Sequence, residues 1–356
     1  MNSKERMMAA LRREEPDQIP FTLYAESPKL MALAMYEPWR KLLDQGLGLF
    51  AALSIQTHKS ECPNASMDIT HHYKSQTSWS PVDLMMSMNK PHQISGEIKT
   101  PVGTDKFFAT METMDLAKML PWFPEDGFFI KTLEDYEVFK QLIEDTEYTP
   151  YYDEVVAFQQ IIGNHGIVPT FVPKSPLQSM IMLMGPQRLG IDYYTHRKEF
   201  DELYNAIYKK ELEVYKIAAE SPAEVVWGPD NVTSLITSPK LFKEYSLKFY
   251  NEVAEIFHKH DKIYVVHMDG ELKSIVDLVA ETKIDAIESF TPPPVGDLTI
   301  KEAKEKWPDK VIWSNFPESV CLKGQKAVEE TTKNMLKEAA PGNNFILGIS
   351  EGFPSY

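Results

Sequence analysis

The stretch Ile263-Tyr264-Val265-Val266-His267-Met268-Asp269-Gly270 carries the reading from which the fold follows. A short apolar, β-favouring run passes without a break into a histidine, an aspartate and a glycine. It shows no polar alternation, which is the pattern of a strand buried on both faces, as in a parallel sheet. Upstream, Ser238-Pro239 reads as a helix start, a capping side chain with proline at the first helical position. Phe242, Tyr245, Phe249, Val253 and Phe257 then recur at helical spacing.

Working outward, the alternation continues. Gly166–Val172, Ala223–Trp227, Ala286–Ser289, Val311–Ser314 and Phe345–Ile349 are further strand candidates separated by amphipathic stretches. Ile19–Tyr24 opens the series, after a helix over Ser3–Glu15 whose cap is read as Ser3. Alternating β and α in one chain means parallel strands joined by right-handed crossovers. An open doubly wound sheet and a closed barrel both satisfy that pattern. No Gly-x-Gly-x-x-Gly turn or phosphate-cradling loop follows a strand, which weakens the nucleotide-binding open sheet. The expected fold class is therefore α/β, a TIM-type (β/α)8 barrel formed by residues 1–356 as one domain. An irregular, partly β insertion in the N-terminal third forms an excursion at about 57–135.

Composition narrows the function classes. The 356 residues are 43% hydrophobic and 25% charged, enough apolar material for a large core. The net charge of −15 provides no overall footprint for nucleic acid or an anionic membrane. No window approaches a membrane span, and the first residues lack the apolar core of a secretory signal. With two distant cysteines, Cys62 and Cys321, a reduced cytoplasmic setting is the plainer reading.

The strand candidates share a further property: their C-terminal ends are polar. Trp227 leads to Asp230 and Asn231, Val266 to His267 and Asp269, Ile287 to Glu288, Trp313 to Asn315, and Ile349 to Glu351. In a barrel those ends converge on one mouth, where active sites form. Each has a bland alternative: Asp230 or Asn231 as a turn cap, Glu288 as partner of a lysine. His267 and Asp269 alternate by two and so share a face, where a histidine–carboxylate pair suits proton transfer or metal ligation. His71 and His72 are adjacent and would point apart in a strand, and His258 and His260 end a helix. Tyr24, Trp122 and Trp227 offer aromatic surfaces for a ring-shaped substrate, or core packing.

The opening Lys4-Glu5-Arg6-Met7-Met8-Ala9-Ala10-Leu11-Arg12-Arg13-Glu14-Glu15-Pro16-Asp17-Gln18-Ile19-Pro20 resembles the N-terminal signature of the uroporphyrinogen decarboxylase superfamily. So do Ser238-Pro239-Lys240-Leu241-Phe242, His267-x-x-Gly270, and Asn315-Phe316-Pro317-Glu318 followed by Leu322-Lys323-Gly324; their order and spacing together carry the likeness. The resemblance implies a (β/α)8 barrel and either a decarboxylase or a methyltransferase working with a corrinoid protein. The decarboxylase motif holds substrate carboxylates with arginine, whereas Pro20 here is followed by Phe21-Thr22-Leu23-Tyr24-Ala25-Glu26-Ser27-Pro28. The family's thiol methyltransferases bind zinc through a His-x-Cys pair and a later cysteine. Those positions resemble His267, Asp269 and Glu351, so hard ligands stand where soft ones are expected.

The resulting expectation is a corrinoid-dependent methyltransferase of the O-demethylase type, a function of anaerobic metabolism. It moves a methyl group from a small donor, an aryl methyl ether by preference, to Co(I) cobalamin on a partner corrinoid protein. His267, Asp269, Glu288 and Glu351 are the expected catalytic groups. Tyr24, Trp122, Trp227, Asp230, Asn231 and Asn315 are the expected substrate contacts. Zinc on His267, Asp269 and Glu351 stays open, as does a homo-oligomer. The alternatives are a zinc-dependent methylcobalamin:acceptor methyltransferase, a decarboxylase-like enzyme, and a non-catalytic corrinoid-binding module.

Overall fold

The computed structural model describes residues 1–25, 37, 39–51, 57–72, 93–110, 123–124 and 128–350. Two compact units are defined by their internal contacts. The first takes in Met1–Lys59, Tyr148–Gln178 and Glu211–Phe353; the second takes in Ser60–Glu147, Ser179–Lys210 and Pro354–Tyr356.

The first unit is built on β1 (Phe21–Tyr24), β2 (Gly48–Phe50), β3 (the short pieces Gly166–Ile167 and Thr170–Phe171), β4 (Val225–Gly228), β5 (Ile263–His267), β6 (Ala286–Phe290), β7 (Val311–Asn315) and β8 (Phe345–Ile349). All neighbouring pairs are parallel. One edge of the sheet is Thr170–Phe171 and the other is Gly166–Ile167. Only Val168-Pro169 separates these two edges in the chain, so the sheet curls round on itself and β3 closes it. Proline has no amide hydrogen for a ladder, which accounts for the interruption. This is the (β/α)8 arrangement expected from the alternation, with the strands buried on both faces.

β2 was not among the strand candidates. Leu47-Gly48-Leu49-Phe50-Ala51 has neither a strand nor a helix period, and only pairing with β1 and β3 selects the extended form.

Side chains from alternate positions fill the interior: Tyr24, Phe50, Ile167, Val225, Trp227, Val265, Ala286, Val311, Trp313 and Ile346. Met7, Met8, Ala10 and Leu11 of the helix Ser3–Leu11 join the same cluster. This helix lies at the N-terminal end of the strands: Arg12 and Lys4 pair with Glu224, and Arg13 donates to the Asp309 carbonyl. Its cap is Asn2 rather than Ser3. The Asn2 side chain accepts from Glu5 N, and the Glu5 carboxylate accepts from Asn2 N, each at 2.9 Å. That reciprocal box satisfies two end groups at once. Ser238 caps its helix as read, accepting from Leu241 N, and Phe242, Tyr245, Phe249, Val253 and Phe257 are all buried.

In the second unit, Ser66–His72, Gln93–Thr100, Gly103–Thr110 and Phe123–Pro124 form an antiparallel sheet, the β content expected of the excursion. The helix Leu133–Asp145 presents Tyr136, whose hydroxyl donates to buried Asp192 at 2.7 Å; Arg188 pairs with the same carboxylate. Cys62 and Cys321 are both free.

One interior position leaves no room for a side chain. A Cβ on Gly348 would lie 2.6 Å from Thr22 Oγ1 and 2.8 Å from Trp313 Nε1, which bond to each other over β8. Gly348→Ala is therefore expected to cost about 1–3 kcal/mol through overpacking. The readout is a lower urea midpoint at unchanged slope; a wild-type midpoint would show that the interior yields there.

Candidate active site

β5 and β6 bring His267 and Glu288 into direct register. β1 lies across the barrel from them in the strand order, and β4 lies beside β5. Four side chains from these strands meet inside the C-terminal end. The Tyr24 hydroxyl donates to Glu288 Oε1 at 2.6 Å, Trp227 Nε1–H donates to Glu288 Oε2 at 3.1 Å, and His267 Nδ1 lies 2.8 Å from Glu288 Oε2. The Tyr24 oxygen is also 3.2 Å from His267 Nδ1. A carboxylate only accepts, so all three donors fit an ionised Glu288 with His267 donating from Nδ1. The lysine partner considered for Glu288 gives way to this histidine.

The local backbone aims Glu288. The register between β6 and β7 shifts between Ile287 and Phe290, and Ser289 takes a left-handed conformation at φ 57°. Such a bulge re-aims a side chain at the cost of local strain. The Ser289 hydroxyl meets the Ser350 hydroxyl at 2.5 Å, which ties the bulge to the end of β8.

Glu288 is 0% exposed and His267 2%, whereas Asp269 is 31% exposed. Burial opposes a charge on His267, but the Glu288 carboxylate as charge and acceptor, with the nearby charge of Asp269, outweighs it and raises the histidine to about 10. Burial also opposes ionisation of Asp269, and the imidazolium overcomes it and holds that carboxyl below its ordinary range. The 3.6 Å between His267 Nε2 and Asp269 Oδ2 is an ion pair, too long for a hydrogen bond. Among the described residues, Nε2 is consequently a buried polar atom with no hydrogen-bond partner.

The remaining expected residues fall into two groups. Asp230 is buried and both oxygens are engaged, accepting from Ser175 N at 2.7 Å and Tyr250 OH at 2.6 Å. Asn315 accepts from Ser350 N at 3.0 Å, and Asn231 turns the chain at φ 53°. These three shape the loops of the mouth. Trp122 and Glu351 lie outside the described residues, as do the side chains of His71 and His72. The rings of Tyr24 and Trp227 pack edge to face in the interior, so their polar atoms, rather than open ring faces, are what they bring to the site.

Sequence reasoning missed Lys174. It follows β3, is half-buried, and donates to the Pro229 carbonyl. Burial lowers its pKa, and the charges of Asp230 and Asp269 oppose that shift. Its signal was available: Val172-Pro173-Lys174-Ser175-Pro176 ends a strand and starts a helix on the same side as His267.

Among the described residues no group of three His, Cys, Asp or Glu side chains is placed to hold a metal ion. Of the three expected zinc ligands, His267 and Asp269 are brought together and Glu351 lies outside the described residues.

The linkage sign follows from the raised histidine. The folded pKa of about 10 lies above the ordinary value of 6.5, so the stabilisation is complete below about pH 6.5 and is lost as pH rises through about 10. Urea midpoints should fall across that window, and Glu288→Gln should flatten the fall. An unchanged slope in the variant would separate the two groups.

The chain is similar to a family described as uroporphyrinogen decarboxylase (URO-D), whose model matches residues 128–355. No match is found among the curated proteins. Among solved structures it is similar to a methyltransferase from Methanosarcina mazei, with a TM-score of 0.56 and 12% identity, over 99% of this chain and 95% of that chain. At that identity the likeness speaks for the fold. The family match spans well over half of the chain, from the approach to the barrel's third strand through its eighth, and on that ground the protein belongs to the uroporphyrinogen decarboxylase family.

Proposed function

We propose that the protein is a methyltransferase of this family that removes the methyl group of an aryl methyl ether. A reduced corrinoid on a partner protein supplies the nucleophile that takes the methyl group. The observation that carries the reading is His267: a buried imidazolium fixed by Glu288 through Nδ1, with Nε2–H unpartnered among the described residues. The likeness to a solved methyltransferase supports the reaction class.

When the O–CH3 bond breaks, the aryl oxygen keeps the bonding pair and becomes a phenolate. Nε2–H donates its proton to that oxygen. A phenol has an ordinary pKa of about 10. Glu288 raises His267 and keeps the imidazole protonated, so that a proton is at hand for the phenolate as it forms. Glu288 holds the proton on His267 and orients the ring, with Tyr24 and Trp227 fixing the carboxylate in turn. Asp269, partly exposed, connects the imidazole to solvent and stabilises its charge.

The decarboxylase reading is less well supported, because Phe21–Ala25 after Pro20 supplies no arginine for substrate carboxylates. No step here depends on zinc.

The test mixes the protein with a reduced corrinoid protein and a series of methoxybenzenes and follows the visible spectrum of the corrinoid. Methylation by at least one aryl ether is expected; silence with all of them overturns the proposal. His267→Gln should lower the rate by about 10²–10⁴-fold while donor binding persists. The wild-type rate should hold up to about pH 10 and then fall as His267 loses its proton. Glu288→Gln should move that fall down by more than about one pH unit. A fall at the same pH in both proteins would remove Glu288 from the mechanism.

A further inference from the structure

Among the described residues, five other than glycine take left-handed backbone: Arg13, Asn231, Asp261, Ser289 and Asn344. Of these, only Ser289 lies inside a strand, β6, and it directly follows Glu288. Such a conformation persists where its surroundings over-determine it. Here hydroxyl groups do so. The Thr291 hydroxyl donates to the Ser289 carbonyl at 2.9 Å, and the Ser314 hydroxyl donates to the Phe290 carbonyl at 3.2 Å. The Ser289 hydroxyl meets the Ser350 hydroxyl at 2.5 Å, and Ser350 N donates to Asn315 Oδ1 at 3.0 Å. β6 and β8 are not neighbours in the sheet, since β7 lies between them. The Ser289–Ser350 contact thus joins two strands that share no ladder. Ser289, Thr291, Ser314, Asn315 and Ser350 are all buried, as is Glu288.

We propose that Ser350 is a positioning residue: through Ser289 it holds the turn that follows Glu288, and so keeps the Glu288 carboxylate seated on His267 Nδ1. That carboxylate is shared by Tyr24 at 2.6 Å, Trp227 at 3.1 Å and His267 at 2.8 Å. Hydrogen bonds weaken steeply as angle and distance worsen, so a group with three donors has little room to move. Two anchors hold the peptide that joins Glu288 to Ser289. One is Met268 N, which donates to the Glu288 carbonyl at 2.9 Å. The other is the Ser350 contact, one residue further on. Without the Ser350 hydroxyl, the left-handed turn loses the bond that ties it to the end of β8. It then relaxes towards the extended form, shifts Glu288 and lengthens the bond to Nδ1. Ser350 touches neither the donor nor the reacting atoms. Its effect on rate rests on the methyl-transfer reading of this site; its effect on the Glu288–His267 bond does not.

The experiment labels the histidines of the full chain with nitrogen-15 and records their ring signals by NMR at one neutral pH, with no donor present. The His267 signals are those missing from His267→Gln, and Glu288→Gln gives their position once the charged pair is gone. Ser350→Ala should move them towards that position, and Ser350→Thr, which keeps the hydroxyl, should restore them. Ser289→Ala should produce the same shift, and the double variant should add nothing to it, because the two residues act in series. Ser221→Ala is the control for a merely structural role. It breaks another buried hydroxyl pair, Thr170 with Ser221 at 2.6 Å, and should lower the urea midpoint while leaving the His267 signals in place. Circular dichroism of each variant checks folding, and Ser289→Ala keeps the test decisive if Ser350→Ala fails to fold. Wild-type His267 signals in folded Ser350→Ala or Ser289→Ala overturn the inference, as does an equal shift in Ser221→Ala. With an active methyl donor, Ser350→Ala should lower kcat by up to about a hundredfold, the scale of a small misplacement, and leave KM unchanged. Displaced His267 signals in a protein that transfers no methyl group support the positioning and remove the proposed reaction.

Discussion

Glu288 is a carboxylate with no access to water, and much of the site's geometry follows from that constraint. An isolated buried charge costs far more than the marginal stability of a domain, so it must be paired and fully hydrogen-bonded. Here Tyr24, Trp227 and His267 meet that requirement from three other strands. The same contacts protonate the histidine and fix its ring. Removing one partner from such a buried pair costs about 3–5 kcal/mol because the remaining charge is left uncompensated. Stability and proton chemistry are therefore coupled in this protein: the groups that hold the mouth together are those that hold the proton.

The barrel makes the pairing affordable in geometric terms. Parallel strands place residues of equal rank at equal height, so His267 and Glu288 stand side by side and Tyr24 faces them across the interior. The departure from regularity at Ser289 turns Glu288 inward and links β6 to the end of β8. Below this layer Thr22, Trp313 and Gly348 close the interior, and the helix Ser3–Leu11 joins the hydrophobic cluster at the other end. Asp269, 31% exposed, is the carboxylate of this group that reaches towards solvent.

Several features were legible before the structure. Continuous apolar runs identified seven of the barrel strands, because a strand buried on both faces has no polar alternation to hide. The polar residues after those runs marked the mouth, and the spacing of His267 and Asp269 marked a pair. β2 was not legible, because three buried residues carry no period. The interruption of β3 at Pro169 and the cap at Asn2 are local details that depend on neighbouring amides rather than on residue type alone.

The sequence by itself determined the alternation of strand and helix, the side of the barrel on which polar chemistry collects, and the family to which the chain belongs, since all three follow from local pattern and order. Only the tertiary structure decided that Glu288 belongs to His267, that Tyr24 and Trp227 act through their polar atoms, and that Lys174 bonds to the Pro229 carbonyl. These residues lie between 21 and 264 positions apart wherever they bond to Glu288. Closure of the barrel brings them together, and burial turns their proximity into a raised histidine pKa; neither is written in any single stretch of the chain.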